Sequence, residues 1–324
     1  MNIFRLFLVF FNLSVFSQIT FDKVVIWGHP LHSHTHSYIH HAFYKTFEYL
    51  KYKTYHLENI DHPNFDFSRT LFITEGQVDS KIPIRSDCYY ILHNCDIKKY
   101  KHLLDSNHVV CIQVYTNKVK EVETAKKIRP FFYEDYSNKT FYMPWATDLL
   151  PHEIEYSKQR LKRILSKKEK KYIAWNGTFS SNPPFDNASE INPFKVLCEK
   201  NGIAFFHKID LNPKQVIEFI QNSYLAPTIV GSWQKQEGYI PCRIFKNISY
   251  GQLGITNSKE AAELFFGKII YSDSTEELFH KAIIYRENPD IQNQLFLMDV
   301  VQKHHTYINR IDDLLSFFNK MNNI

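Results

Sequence analysis

The strongest constraint on this chain is a repeated alternation of short apolar runs with amphipathic segments. The run at residues 24–27 ends at Gly28, and apolar side chains then recur with helical spacing at Ile39, Phe43 and Phe47. Four further strand-like runs follow, at residues 52–57, 71–74, 88–92 and 109–114. Because the segments between them are long enough for crossover connections, this order predicts a parallel sheet.

The second half of the chain repeats the alternation. Strands are predicted at residues 172–175, 203–206, 228–230, 254–256 and 268–271. Helix starts are marked by Asn212 before Pro213 and by Ser274 three residues before Glu277, and another helix is expected to open at Pro193. The sequence therefore predicts an α/β chain of two domains.

Domain limits follow from the chain length and from the break in the pattern around residues 143–146. A chain of 324 residues is long enough for two domains of about 100–200 residues each. The C-terminal residues look helical and are expected to pack back across the junction. The expected segments are an N-terminal leader at 1–17, a first domain at 18–150, a linker helix at 151–170, a second domain at 171–289 and C-terminal helices at 290–324.

The N-terminal leader has the pattern of a signal peptide. Arg5 precedes an apolar run from residue 6 to 16, which is too short to span a bilayer comfortably. A short uncleaved membrane anchor is the alternative. Either reading places the protein in the secretory pathway or at a membrane, and an uncleaved anchor would also allow the cytosolic side.

Charge and cysteine content exclude several classes. A net charge of +5 is small for this length, and the densest basic stretch, residues 158–171, has the apolar spacing of a helix between domains, so no nucleic-acid partner is expected. The five cysteines are widely spaced and define neither a zinc site nor a disulfide framework. A single bridge between Cys88 and Cys95 remains open.

The most informative stretch for chemistry is residues 231–245, where a predicted strand runs through a loop into a helix that opens at Pro241. The unpaired amides and positive dipole of a helix start favour an anion. Arg243 lies in the first turn, where a guanidinium could grip phosphate oxygens in a bidentate manner. The alternative is an ordinary helix start with a surface arginine.

Residues 240–251, followed by Ile255, Thr256 and Asn257, resemble the donor-site helix of the GT-B glycosyltransferases, most closely the branch related to the spore-maturation protein CgeB. The resemblance implies an α/β fold of two Rossmann-like domains that face each other across a cleft. It also implies a metal-independent transferase whose second domain binds a nucleoside-diphosphate sugar as co-substrate. Lys246 stands where that family has a ribose-binding glutamate. The residues expected to contact the donor are Asn176, Gly177, Thr178, His207, Ser232, Gly238, Tyr239, Arg243, Lys246, Thr256 and Asn257.

A histidine-rich loop follows the first predicted strand, where ligands of open α/β sheets bind. It contains His29, His32, His34, His36, His40 and His41. Because imidazole titrates near neutral pH, one of His32, His34 and His36 is expected to take the proton from the acceptor hydroxyl of a glycan, lipid or protein.

The same loop supports a rival reading. Residues 31–35 resemble the first metal motif of PHP-type phosphoesterases and the His-x-His of amidohydrolases, which would make the protein a metal-dependent hydrolase. Such sites need further ligands at later strand ends, and no second paired motif is visible in the sequence. No metal is therefore expected, and a non-catalytic binding protein on the same scaffold is the third possibility.

Overall fold

The computed structural model of the chain describes residues 19–94, 100, 107–166, 172–182 and 186–322. The expected leader at 1–17, Cys95 and the 167–171 part of the basic stretch lie outside the described residues. Within that described part of the chain, no helix is both long enough and apolar enough to cross a membrane.

The N-terminal half is built on one eight-stranded sheet, in which helix α1, Ser37–Tyr49, follows the first strand. The spatial order is β2-β1-β3-β4-β5-β8-β7-β6; the first six strands run parallel, and β8-β7-β6 pair in antiparallel fashion. The strands are β1 Lys23–Trp27, β2 Thr54–Leu57, β3 Thr70–Glu75, β4 Tyr89–His93, β5 Val109–Gln113, β6 Lys126–Arg129, β7 Phe132–Asp135 and β8 Thr140–Tyr142. The predicted parallel sheet is confirmed.

The three strands β6 to β8 were absent from the sequence-based expectation. They are only three or four residues long, and β6 is mostly exposed and contains two lysines and an arginine. Such a strand has neither the apolar run of a buried strand nor a clean alternation of apolar and polar residues, so its pattern resembles that of a loop.

The C-terminal half contains two short parallel pairs of strands, β9 with β10 and β11 with β12. Parallel bridges from Ile173 to Leu225 and from Thr228 to Thr256 connect the two pairs. In the strand expected at 228–230, only Thr228 forms such a bridge, and the Val230 amide donates to the Asn257 side chain instead of to a neighbouring strand. The strands are β9 Tyr172–Asn176, β10 Ala204–Lys208, β11 Ile255–Thr256 and β12 Ile270–Tyr271.

Helices surround these strands and continue to Met321. They are α2 Pro151–Gln159, α3 Leu161–Leu165, α4 Ala188–Lys200, α5 Pro213–Gln221, α6 Ser232–Gln236, α7 Cys242–Ser249, α8 Lys259–Leu264, α9 Thr275–Glu287, α10 Ile291–His304 and α11 Tyr307–Met321. The predicted cap of α5 is confirmed, since the Asn212 side chain accepts a hydrogen bond from the amide of Gln215 at 2.9 Å.

Two sequence-based helix boundaries are wrong. Helix α4 begins at Ala188 instead of Pro193, which lies inside it; the proline forgoes one backbone hydrogen bond while Ile191 and Phe194 on either side remain fully buried. The expected linker helix is broken near Arg160 into α2 and α3, so that the side chains of both short helices can reach the core.

The last helix returns to the N-terminal half, as the sequence predicted. Its buried face, which includes Leu314 and Phe317, joins the hydrophobic core formed by α1 and the large sheet. Arg310 is also fully buried, and its guanidinium donates hydrogen bonds to the carbonyl oxygens of Pro144 and Trp145 at 2.8 and 3.0 Å. Helix α11 therefore belongs structurally to the domain from which it is farthest in sequence.

We expect Leu314→Ala to lower the free energy of unfolding by about 2–5 kcal/mol, because it leaves a cavity in the N-terminal core. Urea unfolding followed by circular dichroism measures the loss. The matched control is Ser316→Ala at an exposed position of the same helix, which should change stability by less than about 0.5 kcal/mol. Equal effects of the two substitutions would contradict the docking of α11.

Candidate functional site

Loops at the carboxyl ends of strands from both halves meet at a common junction. The Thr35 hydroxyl, after β1, lies 2.9 Å from the Thr178 hydroxyl, after β9. The Thr116 hydroxyl, after β5, donates to the Gly238 carbonyl oxygen at 2.9 Å. Because parallel sheets bind ligands at these ends, the junction is the place to look for a site.

On the C-terminal side, a pocket lies between β9, α5 and the start of α7. Its polar lining comes from Asn176, Arg243, Lys246, Asn247 and Tyr250. Pro241 precedes the first turn of α7, and no side chain caps that turn. Two cationic side chains of α7 therefore line the same pocket close to an uncapped helix start.

Arg243 is the most unusual residue of this pocket. Its guanidinium carbon lies 4.1 Å from the centroid of the Trp175 ring. Its hydrogen bonds to the Asn176 and Ile229 carbonyl oxygens are long, at 3.4 and 3.5 Å, and no carboxylate of the described residues pairs with it. Burial lowers the pKa of Arg243. A partly buried cation without a protein counter-ion is energetically unfavourable, and a bound anion would relieve that cost.

The turn after β9 packs directly against this guanidinium. Gly177 adopts a φ of +136°, and a Cβ built there would lie 2.5 Å from Nη1 of Arg243. The His207 side chain contacts the Gly177 carbonyl oxygen at 2.8 Å. Three residues predicted separately as donor contacts are thus brought together, and only glycine allows the close approach of Arg243 to the turn.

Lys246 lines the pocket, but its charge is already neutralised by an ion pair with an acidic residue. Its ammonium lies 3.4 Å from Oδ2 of Asp148, and the Tyr250 hydroxyl donates to Oδ1 of Asp148 at 2.6 Å. Burial opposes both charges, yet their mutual attraction prevails, so that the pKa of Asp148 is lowered and the pKa of Lys246 is raised. In this conformation Lys246 neutralises Asp148. In the GT-B family that this helix resembles, the position of Lys246 is occupied by a glutamate that binds the ribose.

Thr256 and Asn257 do not line the pocket, which corrects the sequence-based assignment. The buried Thr256 hydroxyl donates to the Thr228 carbonyl oxygen at 2.8 Å. The Asn257 amide is equally buried and exchanges hydrogen bonds with the backbone of Val230 at 2.9 and 3.0 Å. Both side chains satisfy buried backbone groups and so hold the 228–230 segment in position.

Ser232, Gly238 and Tyr239 are also displaced from the expected donor site. The Ser232 hydroxyl donates to Oε1 of Glu190 at 2.8 Å. Gly238 and Tyr239 contact the N-terminal half, where a Cβ at Gly238 would lie 2.7 Å from Cγ of Asn117. The loop before α7 therefore forms part of the junction between the halves, a contact that spacing along the chain could not reveal.

On the N-terminal side, the histidine loop closes around Glu75, the last residue of β3. The carboxylate is fully buried. His29 Nε2 lies 2.5 Å from Oε2, while His36 Nδ1 and Asn94 Nδ2 lie 2.7 and 3.2 Å from Oε1. His34 Nδ1 is 3.9 Å from Oε2. Burial opposes the carboxylate, but the hydrogen bonds from His36 and Asn94 and the charges of His36 and His93 prevail and hold the pKa of Glu75 well below its usual value.

A second histidine pair lies beneath this cluster. His40 Nε2 and His93 Nε2 are 3.1 Å apart, so that one ring donates to the other. Burial lowers the pKa of His40 well below its ordinary value and that of His93 to about 3, so neutral rings pack at the sheet. His32 is outside the cluster: its Nδ1 contacts the Tyr38 hydroxyl at 3.1 Å, which separates it from the other two base candidates, His34 and His36.

The sequence shows no second paired metal motif, but the fold brings side chains from later strands to the histidine loop. Among the described residues, two groups of side chains have potential ligand atoms within 4.8 Å of one another: His29, His34 and Glu75, and His36, Glu75 and His93. Glu75 and His93 come from the ends of β3 and β4. Neither residue forms a local motif, and only the parallel neighbourhood of the strands brings them to the loop.

Comparison with known proteins identifies the scaffold. The glycosyl transferase-like family matches residues 185–316, which include the pocket helix α7 and its surroundings. No curated protein matches the chain in sequence. Three similar solved structures share the architecture over almost the whole chain, and each is a glucosyltransferase.

One is an alpha-glucosyltransferase in complex with UDP and a DNA containing a HMU base, with TM-score 0.56 and 8% identity over 91% of this chain and 99% of that one. Another holds UDP and a DNA with a central A:G mismatch, with TM-score 0.57 and 8% identity over 90% and 99%. The third is the T4 phage beta-glucosyltransferase, with TM-score 0.50 and 10% identity over 93% and 100%.

The chain has the GT-B fold, and residues 185–316 match the glycosyl transferase-like family. The predicted fold class, with two Rossmann-like units and a C-terminal helix that returns to the first, is confirmed. The narrower placement in the CgeB-related branch stays a prediction, and so do the domain limits. At identities of 8–10% the structural likeness establishes the fold alone. The identity of the donor and of the acceptor must be argued from the chemistry of the site.

We expect Asp148→Asn to weaken the acid dependence of folding stability in this GT-B protein. The pKa of Asp148 is lowered in the folded state, so its stabilisation is present above the unfolded pKa of about 3.9 and is lost as the pH falls through the folded value. Urea unfolding from neutral pH down to about pH 3 should therefore show a smaller acid loss for the variant. The control is Asp61→Asn at an exposed carboxylate. The prediction is contradicted if the free energy of unfolding depends on pH identically in wild type, Asp148→Asn and Asp61→Asn.

Proposed function

We propose that the protein transfers a sugar from a nucleoside-diphosphate sugar to an acceptor hydroxyl. The observation that carries the proposal is Arg243, a partly buried guanidinium stacked on Trp175 with no carboxylate partner among the described residues. A diphosphate offers the paired oxygens that a planar guanidinium binds best. The helix α7, which begins one residue earlier, adds amide groups and the positive end of its dipole.

The chemical role of this pocket is to stabilise the departing diphosphate. Negative charge grows on the leaving oxygen as the bond to the sugar breaks, and a fixed cation at that point lowers the barrier without reorganising. Gly177 lets the turn after β9 lie close to the Arg243 guanidinium. The Thr178 hydroxyl in the same turn contacts the Thr35 hydroxyl of the histidine loop. The reacting sugar would then lie between the donor turn and that loop.

On the acceptor side, we assign the histidine and Glu75 cluster to activation of the hydroxyl. His34 and His36 are partly exposed, with 34% and 22% of their side-chain surfaces accessible, whereas Glu75 is inaccessible. Glu75 orients His36 through a hydrogen bond to Nδ1, which leaves Nε2 as the ring nitrogen able to accept a proton. The transferred proton would leave the acceptor here, opposite the diphosphate.

UDP is the nucleotide to test first, because the similar alpha-glucosyltransferase structures hold UDP. For the acceptor we propose a glycan, lipid or protein hydroxyl, in keeping with the leader-like N-terminus and a secretory or membrane location. A hydroxyl on nucleic acid is the competing class, since two of those structures also hold DNA. Transfer assays with labelled UDP-sugars should therefore include a DNA arm.

Arg243→Ala should weaken UDP binding by roughly 10- to 100-fold, because charged hydrogen bonds contribute about 1.5–3 kcal/mol and each 1.4 kcal/mol is a factor of about ten. Titration calorimetry of the full chain with UDP measures the change. Arg243→Lys keeps the charge but loses the stacking and the bidentate geometry, so it should fall between wild type and Arg243→Ala.

The control for this series is Arg85→Ala, which removes an exposed arginine paired with Asp87. It should leave the affinity for UDP unchanged. Absence of binding to UDP, GDP and other nucleoside diphosphates by the wild-type chain would refute the proposed donor site. Binding without transfer to any acceptor would instead favour a non-catalytic role on the same scaffold.

Gly177→Ala should weaken UDP binding by displacing the Arg243 guanidinium, since the added Cβ would lie 2.5 Å from Nη1. It also strains the backbone, because φ at this position is +136°. Gly202→Ala is the matched control: φ is +66° there, and the added Cβ meets no atom within 4 Å. Both variants should lose stability in thermal unfolding, but only Gly177→Ala should lose affinity for UDP. Equal affinities would contradict the close packing of the turn.

A further inference from the structure

The two oxygens of Glu75 have different environments. Oε1 accepts hydrogen bonds from His36 Nδ1 at 2.7 Å and from Asn94 Nδ2 at 3.2 Å. Oε2 faces His29 Nε2 at 2.5 Å and His34 Nδ1 at 3.9 Å. One oxygen is therefore anchored by two neighbours, and the other is presented to two imidazole nitrogens. Outer hydrogen bonds of this kind orient carboxylate ligands in metal centres.

The distances around Oε2 fit a small transition-metal ion. Zn²⁺ binds imidazole nitrogen and carboxylate oxygen at about 2.0–2.2 Å, so two ligands in a tetrahedral site lie about 3.4 Å apart. The separations of 2.5 and 3.9 Å from Oε2 lie on either side of that value, and the three ligand atoms are within 4.8 Å of one another. Shifts of less than about 1 Å at the ligand atoms would suit an ion.

The competing trio of His36, Glu75 and His93 fits less well. Its Glu75 oxygen, Oε1, already has two donors, and His93 Nε2 contacts His40 Nε2 at 3.1 Å. His93 is also buried, with 3% of its surface accessible. An ion bound there would have to break the contact between His40 and His93. In the first trio, 34% of the His34 side chain is accessible, so an ion can reach the ligands from solvent.

We propose that His29, His34 and Glu75 form a binding site for a divalent transition metal, with Zn²⁺ as the best fit, and that the fourth coordination position faces the junction between the halves. Three protein ligands and one open position are the arrangement of catalytic zinc sites. Two imidazoles and one carboxylate disfavour Mg²⁺ and Ca²⁺, which take oxygen ligands, and favour Zn²⁺ and chemically similar ions.

The position of the site connects it with sugar transfer. Thr35, next to His34 in the loop, contacts Thr178 of the donor-side turn at 2.9 Å. A hydroxyl bound at the open position would become more acidic, because a metal ion lowers the pKa of a coordinated oxygen. This role rests on the proposed function, but the metal site itself depends only on the three ligands and their geometry.

The test is metal binding by the full-length chain carrying no polyhistidine tag. After incubation with Zn²⁺ and removal of unbound metal, elemental analysis should find about one tightly bound ion per chain, and Mg²⁺ or Ca²⁺ should not compete for it. Replacement by Co²⁺ should give the visible absorption of a tetrahedral site. His34→Ala and Glu75→Gln should each weaken binding by at least about tenfold and abolish that absorption.

His32→Asn is the matched control, because His32 belongs to the same loop but contacts Tyr38 instead of the cluster, and asparagine tolerates its φ of +74°. It should keep full zinc content. Circular dichroism establishes folding of each variant; Glu75 is buried, so the partly exposed His34 provides the decisive substitution if Glu75→Gln unfolds. Zinc content that is absent from wild type, or unchanged in His34→Ala, overturns the site.

A titration with UDP on the same preparations separates the two proposals. Loss of zinc in His34→Ala with unchanged UDP affinity supports a metal site that is independent of the donor pocket. Zinc binding by a chain that binds no nucleotide refutes only the proposed donor site and leaves the metal site standing. Nucleotide binding by a wild-type chain that holds no zinc refutes only the metal site.

Discussion

The arrangement of the site depends on how α11 closes the chain back onto its N-terminal half. Arg310 is the fixed point of this closure, since its buried guanidinium donates to the carbonyl oxygens of Pro144, Trp145 and His304. These carbonyls belong to the segment after β8 and to the end of α10, so one side chain joins both halves. A buried arginine is tolerated here because backbone oxygens satisfy its donors. The loops after β1 and β5 then meet those of the second half.

The two sides of the resulting junction carry opposite electrostatic character. The pocket beside α7 contains Arg243, whose charge no described carboxylate neutralises, and Lys246, whose charge Asp148 does. The facing loop contains Glu75, a fully buried carboxylate surrounded by imidazoles. An unpartnered cation favours a departing anion, and a buried carboxylate beside several imidazole nitrogens favours a metal ion. These are the two kinds of group that the proposed transfer reaction needs.

Sequence reasoning was most successful where the signal is local. The buried strands, the cap at Asn212 and the helix that begins after Pro241 are encoded by neighbouring residues, and each was predicted close to its observed position. It failed where side chains satisfy distant partners. Thr256 and Asn257 were predicted to contact a ligand because they lie at the end of a strand. Their side chains instead donate hydrogen bonds to the backbone of the 228–230 segment. Pattern alone does not distinguish a polar group facing a ligand from one facing its own chain.

The sequence by itself determined the alternation of strands and helices, the anion-favouring start of α7 and the presence of many histidines in one loop. Only the tertiary structure decided that Gly177 touches Arg243, that Lys246 is neutralised by Asp148 and that Glu75 lies at the centre of the histidines. The physical reason is that hydrophobic periodicity is a property of adjacent residues. The pairing of charges and ligands is set by which strand ends lie side by side, and residues 46 positions apart, such as His29 and Glu75, meet only after the sheet has formed.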